Sequence, residues 1–253
     1  MYLIGFAESY ASQSSAYKIL DYGCGAGEVV AMGRDRGMNI FGAEVFYEGS
    51  SVRPIIEKNG LLGTIIKEIA GGKLDFPDQY FDLVLCNQVF EHVKNLDEVL
   101  FEINRVLKPG GAMLSLFPSR DSWREGHCGI PFLHRFSKSS RFRYHYALWL
   151  RRIGLGSHKN EWGTPEQWTK HKLHWLDSYC HYRDRDTIEE LFTKYFSIRY
   201  IENDYLENRL NKSRLRYLSP LVKVPLLKQI MMEIFRKLGG LVILAAKLPE
   251  NYS

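Results

Sequence analysis

The glycine-rich segment Asp21-Tyr22-Gly23-Cys24-Gly25-Ala26-Gly27 constrains the fold of this chain more than any other feature. It follows a short apolar run over 18–22 and precedes a helix that we predict over 28–36. Glycine between a strand and a helix lets the backbone approach a ligand closely, and the first amides of the helix point towards that ligand. The segment therefore predicts a strand-turn-helix unit with a binding site at the turn.

The rest of the chain repeats this alternation of strands and helices. The pattern predicts strands over 18–22, 39–45, 64–66, 81–86, 112–117, 197–201 and 241–246, and helices over 28–36, 96–107 and 186–195 with one before Asn59-Gly60. Asn95 and Asp186 are expected to cap the last two of these helices. Strands that alternate with helices form right-handed βαβ units, so we expect an α/β fold: a Rossmann-like, seven-stranded, mostly parallel sheet flanked by helices.

Two segments interrupt the alternation within what we interpret as a single domain over 1–253. Residues 118–182, after the fifth strand, are aromatic, histidine-rich and basic, and we predict that they form an insertion that covers the site as a lid and binds the acceptor. Residues 202–238 form a basic excursion between the last two strands. The two segments are the expected locations of specificity rather than of the cofactor.

Charge is concentrated in these segments, since 134–160 contains seven Lys or Arg and no Asp or Glu in a chain of net charge +5. Apolar residues such as Trp149, Leu150, Leu226 and Ile230 are interleaved with the cations. This pattern is typical of peripheral contact with an anionic membrane, although the same apolar residues could instead pack in the core. Nucleic acid is disfavoured as a partner, because the overall charge is modest and no nucleic-acid-binding module is evident.

The expected compartment is the cytoplasm, with the inner membrane face as the alternative. The four cysteines, Cys24, Cys86, Cys128 and Cys180, lie far apart without zinc-site spacing, and their number is small for a secreted scaffold. No apolar run approaches the roughly 20 residues that a membrane span requires, and the first residues lack the order of a signal peptide.

The spacing of the glycines disfavours a dinucleotide. A GxGxxG fingerprint that starts at Gly23 requires glycine at position 28, where this chain has Glu28, whose carboxylate would repel a pyrophosphate. Glu44 lies near the end of the second strand, 17 residues after Gly27. Its two oxygens can accept hydrogen bonds from both hydroxyls of a ribose, although a solvated strand-end glutamate is the simpler alternative.

Three further segments resemble the signature series of the type 11 family of class I S-adenosylmethionine-dependent methyltransferases. They are Leu74-Asp75-Phe76-Pro77-Asp78, Val89-Phe90-Glu91-His92-Val93 and Arg105-Val106-Leu107-Lys108-Pro109-Gly110-Gly111. The resemblance covers roughly 18–117 and implies S-adenosylmethionine as the cofactor. It implies cofactor-binding positions at Asp21, Gly23, Cys24, Gly25 and Gly27 around the methionine part, Glu44 and Val45 at the ribose, Leu74 at the adenine, and Asn87 beside the sulfonium.

One departure from this family concerns the adenine. Many members carry an aspartate a few residues before the Leu-x-Phe-Pro-Asp segment, whereas this chain has Ile69-Ala70-Gly71-Gly72. The adenine contact is therefore expected to rest on backbone groups.

Candidates for chemistry lie beyond the cofactor motifs. Methyl transfer to an alcohol requires removal of a proton, and His92, just after the fourth strand, is the candidate general base; the alternative is that Glu91 and His92 only order the loop. Glu125, His127 and His134 are the candidate substrate-binding residues. They are also zinc-ligand types, but their spacing matches no defined metal pattern, and no metal is predicted.

The predicted function is O-methylation of a small molecule or of a glycan hydroxyl. The insertion is similar to a bacterial branch of the family associated with surface polysaccharides and glycans, which favours the glycan. Alternative hypotheses are a methyltransferase for a quinone-like lipid or an amine, and a cofactor-binding partner subunit that has lost transfer activity. A nicotinamide oxidoreductase is weakened by Glu28.

Overall fold

The computed structural model describes residues 2–11, 16–47, 51–214 and 216–249. Its strands are β1 (Lys18–Tyr22), β2 (Asn39–Glu44), β3 (Ile66–Glu68), β4 (Phe81–Asn87), β5 (Leu107–Phe117), β6 (Phe196–Tyr200) and β7 (Leu241–Lys247). Its α-helices are α1 (Tyr2–Ala11), α2 (Glu28–Arg34), α3 (Val52–Lys58), α4 (Leu96–Val106), α5 (Arg141–Arg152), α6 (Pro165–Tyr179), α7 (Arg185–Thr193), α8 (Glu202–Asn211) and α9 (Pro225–Leu238).

The seven strands form one sheet in the order β3-β2-β1-β4-β5-β7-β6. β7 runs antiparallel to β5 and β6, and the other pairs are parallel. The Rossmann-like, mostly parallel sheet that the sequence predicted is confirmed. The strand order reverses between β1 and β4, and ligands of open α/β sheets bind outside the carboxyl ends of the strands at such a point.

The strand register brings these carboxyl ends together. Tyr22, the last residue of β1, pairs with Ala43 on β2 and with Cys86 on β4. Consequently the loops after β1, β2 and β4 leave the sheet side by side. The glycine loop follows β1, Glu44 is the last residue of β2, and His92 lies in the loop after β4.

The core lies on both faces of the sheet, because alternate residues of each strand point in opposite directions. On one face, Leu20 packs in a cluster with residues of α4 and α7 such as Leu100 and Phe192. On the other face, Ile19 belongs to a cluster that includes Ile4 of α1 and Val30 of α2. Burial on both faces explains why apolar residues occupy consecutive positions in β1 and β4.

Several predicted boundaries were wrong. β3 spans Ile66–Glu68 rather than 64–66, because Ile66 and Lys67 pair with β2. β5 begins at Leu107 rather than at 112, because Leu107 pairs with Phe81 and the ladder then continues through an irregularity. The segment Lys108-Pro109-Gly110-Gly111 therefore lies within β5.

The two predicted helix caps were also wrong. Asn95 makes no capping hydrogen bond through its side chain at the start of α4. α7 is capped by Asp184 rather than Asp186, and the Asp184 carboxylate accepts from the Thr187 amide at 2.9 Å. The helix starts two residues earlier than Asp186 would require.

Residues 118–184 contain α5 and α6 and have a core of their own, centred on the fully buried Trp168 with Ile130 and Leu176. Leu150 is buried here, so its predicted role in contact with a membrane was wrong. Its neighbour Trp149 points outwards and is 59% exposed.

α9 differs from the other long helices because none of its residues is buried. Leu226, Ile230 and Leu238 are largely exposed, at 68%, 48% and 63%. Across the part of the chain that the structure describes, no helix combines the length and the apolar composition needed to cross a membrane.

Candidate active site

The glycine loop connects the end of β1 to the start of α2. Gly23, Gly25 and Gly27 all have positive φ, at 70°, 53° and 82°, a backbone region that side chains disfavour. The amides of Gly23 and Cys24 donate to the Ala43 carbonyl at 2.8 and 3.1 Å. The loop is therefore held against β2 by backbone hydrogen bonds.

The three glycines serve different purposes. A Cβ atom at Gly23 would lie 2.4 Å from Val89 Cγ2, and one at Gly27 would lie 2.7 Å from Ile66 Cδ1. These two positions require glycine because the protein itself packs against them. A Cβ atom at Gly25 would meet no protein atom within 4 Å, so Gly25 borders open space where a ligand can approach.

Glu44 at the end of β2 reaches across to this loop. Its Oε2 accepts from the Gly25 amide at 2.5 Å, and its Oε1 accepts from the Val45 amide at 2.9 Å. Burial raises the pKa of Glu44, and the two amide hydrogen bonds oppose that rise. The structure thus brings Glu44, Val45 and Gly25 together, as the predicted ribose site requires.

Asp21 is a buried carboxyl group near the end of β1, just before the loop. Its side chain is 3% exposed, and burial, with the nearby Glu44 as a second cause, raises its pKa to about 7. Burial also raises the pKa of the Cys24 thiol, so Cys24 is neutral. Two carboxylates that share one region of the protein favour a ligand with a positive charge, such as an ammonium or a sulfonium.

The loop that would border the adenine is positioned by two residues of α4 that the sequence analysis missed. The Leu74 amide donates to Glu102 Oε1 at 2.7 Å, and Arg105 donates to the Leu74 and Phe76 carbonyls at 3.0 and 2.9 Å. Arg105 also bonds both oxygens of Glu102. A glutamate on the buried side of an amphipathic helix, three residues before an arginine, was the available signal.

Asn87 and His92 follow the adjacent strand. Asn87 is the last residue of β4, is half-buried, and lies opposite Leu116 of β5. His92 Nδ1 lies 2.8 Å from the Tyr179 carbonyl oxygen at the end of α6. Because a carbonyl only accepts, Nδ1 carries the proton and Nε2 presents its lone pair.

α6 covers this edge of the sheet through an aromatic cluster. Trp175 packs on both His92 and His127, and Tyr179 packs on Tyr47 beyond β2. The His92 and His127 rings are 4.9 Å apart. The insertion therefore contacts the loops that follow β2 and β4.

The part of the sequence that contains the glycine loop, Glu44 and His92 matches a known protein family. Residues 20–115 match the family described as "Methyltransferase domain". This part of the chain, fewer than half of its residues, is thus similar to known methyltransferases. Its open glycine position, its paired acceptors at Glu44 and its buried Asp21 fit S-adenosylmethionine, the methyl donor of this class of enzyme.

Curated proteins are similar to this chain over less than half of its length. A ubiquinone biosynthesis O-methyltransferase of Rickettsia typhi is 30% identical over 115 residues, 44% of each chain. A sterol 4-C-methyltransferase of Caenorhabditis elegans is 29% identical over 135 residues, 47% of this chain and 40% of the relative. The chain thus spans less than half the length of these relatives.

Among solved structures, an S-adenosylmethionine-dependent methyltransferase from Mesorhizobium loti has the same fold. The TM-score is 0.51 at 16% identity, and the match covers 97% of this chain and 98% of the other. At that identity the likeness extends to the fold alone.

The burial of Glu91 was not predicted from the sequence. Its side chain is fully buried, and neither carboxylate oxygen has a hydrogen-bond partner among the described residues. Burial raises its pKa to about 8. Oε1 lies 4.0 Å from His92 Nε2, so the two groups are neighbours without a hydrogen bond between them.

The three predicted substrate residues of the methyltransferase occupy different surroundings. Glu125 is fully buried and accepts from the His127 amide, the Cys128 amide and the Tyr182 hydroxyl, which hold its pKa below its usual range. His134 packs on the Tyr182 ring, with the centroids 4.8 Å apart. Glu125 is therefore committed to contacts within the protein.

The metal-ligand types that come together among the described residues are His92, His127 and Cys180, whose ligand atoms lie within 4.8 Å of one another. The grouping of Glu125, His127 and His134 that the sequence raised is not the one assembled. Burial raises the pKa of the Cys180 thiol to about 12. Two members of this cluster, His127 and Cys180, thus lie beside the candidate base His92.

Proposed function

We propose that this chain transfers a methyl group from S-adenosylmethionine to a hydroxyl of a small molecule or of a glycan. The observation that supports transfer to oxygen is the position of His92. Its Nδ1 is bonded to the Tyr179 carbonyl, which leaves Nε2 available as a base in the loop after β4, and ligands of such sheets bind at the carboxyl ends of the strands.

S-adenosylmethionine, when bound, supplies a methyl group that is activated by a positively charged sulfur. The residues of this chain bind and orient it. Glu44 would accept from the ribose hydroxyls, Asp21 would face the positive charge of the methionine part, and the Leu74 loop would border the adenine. Gly25 leaves the space that the cofactor requires.

His92 would remove the proton of the acceptor hydroxyl. Its Nε2 would take that proton as the oxygen attacks the methyl carbon. Trp175 packs on the histidine ring and Tyr179 packs on Trp175, which would limit the access of water to the transfer. General base catalysis of this kind contributes roughly 10²–10⁴-fold to a rate.

A phenolic hydroxyl on a quinone-like lipid is the second candidate acceptor. The name of the Rickettsia relative supports it, and the aromatic side chains Trp175, Tyr179 and Tyr47 could stack on a flat ring. The glycan acceptor is supported by the polar and basic lining of the insertion. Both candidate acceptors would be methylated on oxygen, with His92 as the base.

The test is release of S-adenosylhomocysteine with a panel of sugars, phenols and amines. We expect turnover with a hydroxyl acceptor, and His92→Gln should lower kcat at least about 100-fold without changing the Kd for S-adenosylhomocysteine. The matched control is His174→Gln, an exposed histidine on α6, which should retain full activity.

Turnover with amines alone, unaffected by His92→Gln, would contradict transfer to oxygen. Binding of S-adenosylhomocysteine without turnover across the panel would instead favour a cofactor-binding partner subunit.

A further inference from the structure

A cavity of about 370 Å³ lies where the loop after β4, the start of the insertion and the end of α6 meet. Its lining combines cations with one carboxylate, Asp177, among the described residues. The cations are Lys94, Arg120, Lys138, Arg143 and Arg183. Such an excess of positive charge in a concave site favours an anionic ligand.

The protein compensates little of this charge. Arg143 is paired with Asp177 at 2.6 Å, so this carboxylate neutralises Arg143 rather than the other cations of the lining. Arg183 is half-buried and donates to backbone carbonyls, those of Val93 and His181 among them at 2.7 and 2.9 Å. Arg120 likewise donates to the Arg135 carbonyl. Carbonyl oxygens satisfy the donors of these guanidiniums but do not neutralise their charge.

Two buried polar atoms on this lining have no partner among the described residues. They are Arg143 Nε and His134 Nδ1. The Arg143 side chain is only 5% exposed, so water does not replace the missing partner freely. Both atoms are shielded from the open space of the cavity, so it is the cations of the lining that favour an anionic ligand.

The cavity adjoins the candidate base. Cys180 belongs to its lining, and the Cys180 Sγ lies 3.9 Å from His92 Nδ1. A group anchored among the cations would therefore be held beside His92, with the Cys180 side chain between the cavity and the imidazole.

We propose that this cavity binds a phosphate or pyrophosphate group of the methyl acceptor. The proposal rests on the proposed function, since it names the substrate class of the same site. Phosphate is favoured over a single carboxylate because several guanidinium and ammonium groups converge, and phosphate offers each of them an oxygen. The phosphate can belong to a free phosphorylated metabolite or to a lipid carrier, since both present the same group.

The experiment is titration calorimetry of the full chain with pyrophosphate and, separately, co-sedimentation with vesicles that contain phosphatidic acid. The test variant is Lys94→Gln with Arg120→Gln, two exposed cations of the lining. The control is Arg141→Gln with Lys170→Gln, which removes the same charge from exposed positions of α5 and α6 outside the cavity. S-adenosylhomocysteine is titrated into all three proteins.

The expected result is that pyrophosphate binds wild type and control alike and binds the test variant at least about 10-fold more weakly. Binding of pyrophosphate alone indicates a free phosphorylated acceptor, and binding of the vesicles as well, weakened by the same variant, indicates a lipid phosphate. The absence of pyrophosphate binding at millimolar concentration, or equal weakening in both variants, would overturn the proposal. The Kd for S-adenosylhomocysteine reports the cofactor site separately, so failure of one proposal is distinguishable from failure of the other.

Discussion

Replacement of Asp21 by asparagine should stabilise the protein at high pH while it weakens the cofactor site. Burial, and secondarily the charge of Glu44, raise the pKa of Asp21 from 3.8 to about 7. Because the folded-state pKa lies above the unfolded one, the contribution of Asp21 to stability is fully present below pH 3.8 and is lost as pH rises through about 7. A charged Asp21 therefore destabilises the folded protein above neutral pH.

The size of the effect follows from the shift. At about 1.4 kcal/mol per pKa unit, a rise from 3.8 to about 7 corresponds to about 4 kcal/mol. The asparagine side chain carries no charge at any pH, so the difference in unfolding free energy between Asp21→Asn and wild type should increase by about 4 kcal/mol between pH 4 and pH 8. The cost of burying the amide is the same at both pH values and cancels from this comparison.

The assay is thermal unfolding of both proteins at intervals from pH 4 to pH 8. In a chain of this size, about 1 kcal/mol changes Tm by roughly 2–4 °C, so the variant should gain roughly 8–16 °C relative to wild type over the range. Asp82→Asn is the control, and it should lower Tm at pH 8 where Asp21→Asn raises it. Asp82 is paired with Lys108 at 2.8 Å, and the substitution removes that ion pair.

The same Asp21→Asn variant should bind S-adenosylhomocysteine at least about 10-fold more weakly if, as we propose, the carboxylate it lacks faces the positive charge of the ligand. A Tm difference that does not change with pH would refute the account of Asp21 as a buried carboxyl with a raised pKa. Unchanged affinity would refute its role at the cofactor.

Three further perturbations test other parts of the molecule. Gly25→Val should weaken S-adenosylhomocysteine binding at least about 100-fold by calorimetry, because the valine side chain would occupy the open space over the loop. If wild type shows no thermal shift with saturating ligand, the cofactor assignment is contradicted. Glu44→Ala should cost about 1–3 kcal/mol of affinity for the same ligand, and an unchanged Kd would show that the ribose is held elsewhere. We propose that the exposed apolar residues of α9 contact an anionic membrane. Flotation should then show salt-sensitive binding to anionic vesicles and none to neutral ones, and the double variant Leu226→Ser/Ile230→Ser should lose this binding. If wild type binds neither type of vesicle, α9 does not have this role.

Much of the cofactor side could be predicted from the sequence because its residues are close in the chain or lie at strand ends. The turn from β1 to α2 requires glycine at Gly23 and Gly27, where the protein packs against the backbone. Glu44 could be placed because a predicted strand end determines its position along the sheet edge. The two residues that hold the adenine loop, Glu102 and Arg105, were missed because their partners lie about 30 residues away in the chain.

The acceptor side could not be predicted in the same way. His127 and His134 are seven residues apart in sequence, yet His127 packs with His92 and Trp175 while His134 packs on Tyr182. That separation depends on where α6 and the segment after it lie, and no local pattern encodes the placement. The partnerless carboxylate of Glu91 is likewise a property of burial rather than of residue type.

The sequence by itself determined the strand-helix alternation, the glycine loop and the carboxylate at the end of β2, because local periodicity and backbone freedom are encoded in neighbouring residues. Only the tertiary structure decided that Cys180 and Tyr179 meet His92, that Asp21 is a buried carboxyl with a raised pKa, and that five cations converge on one cavity. The physical reason is that burial and charge depend on distances between segments that are far apart in the chain, and those distances exist only once the insertion packs over the sheet.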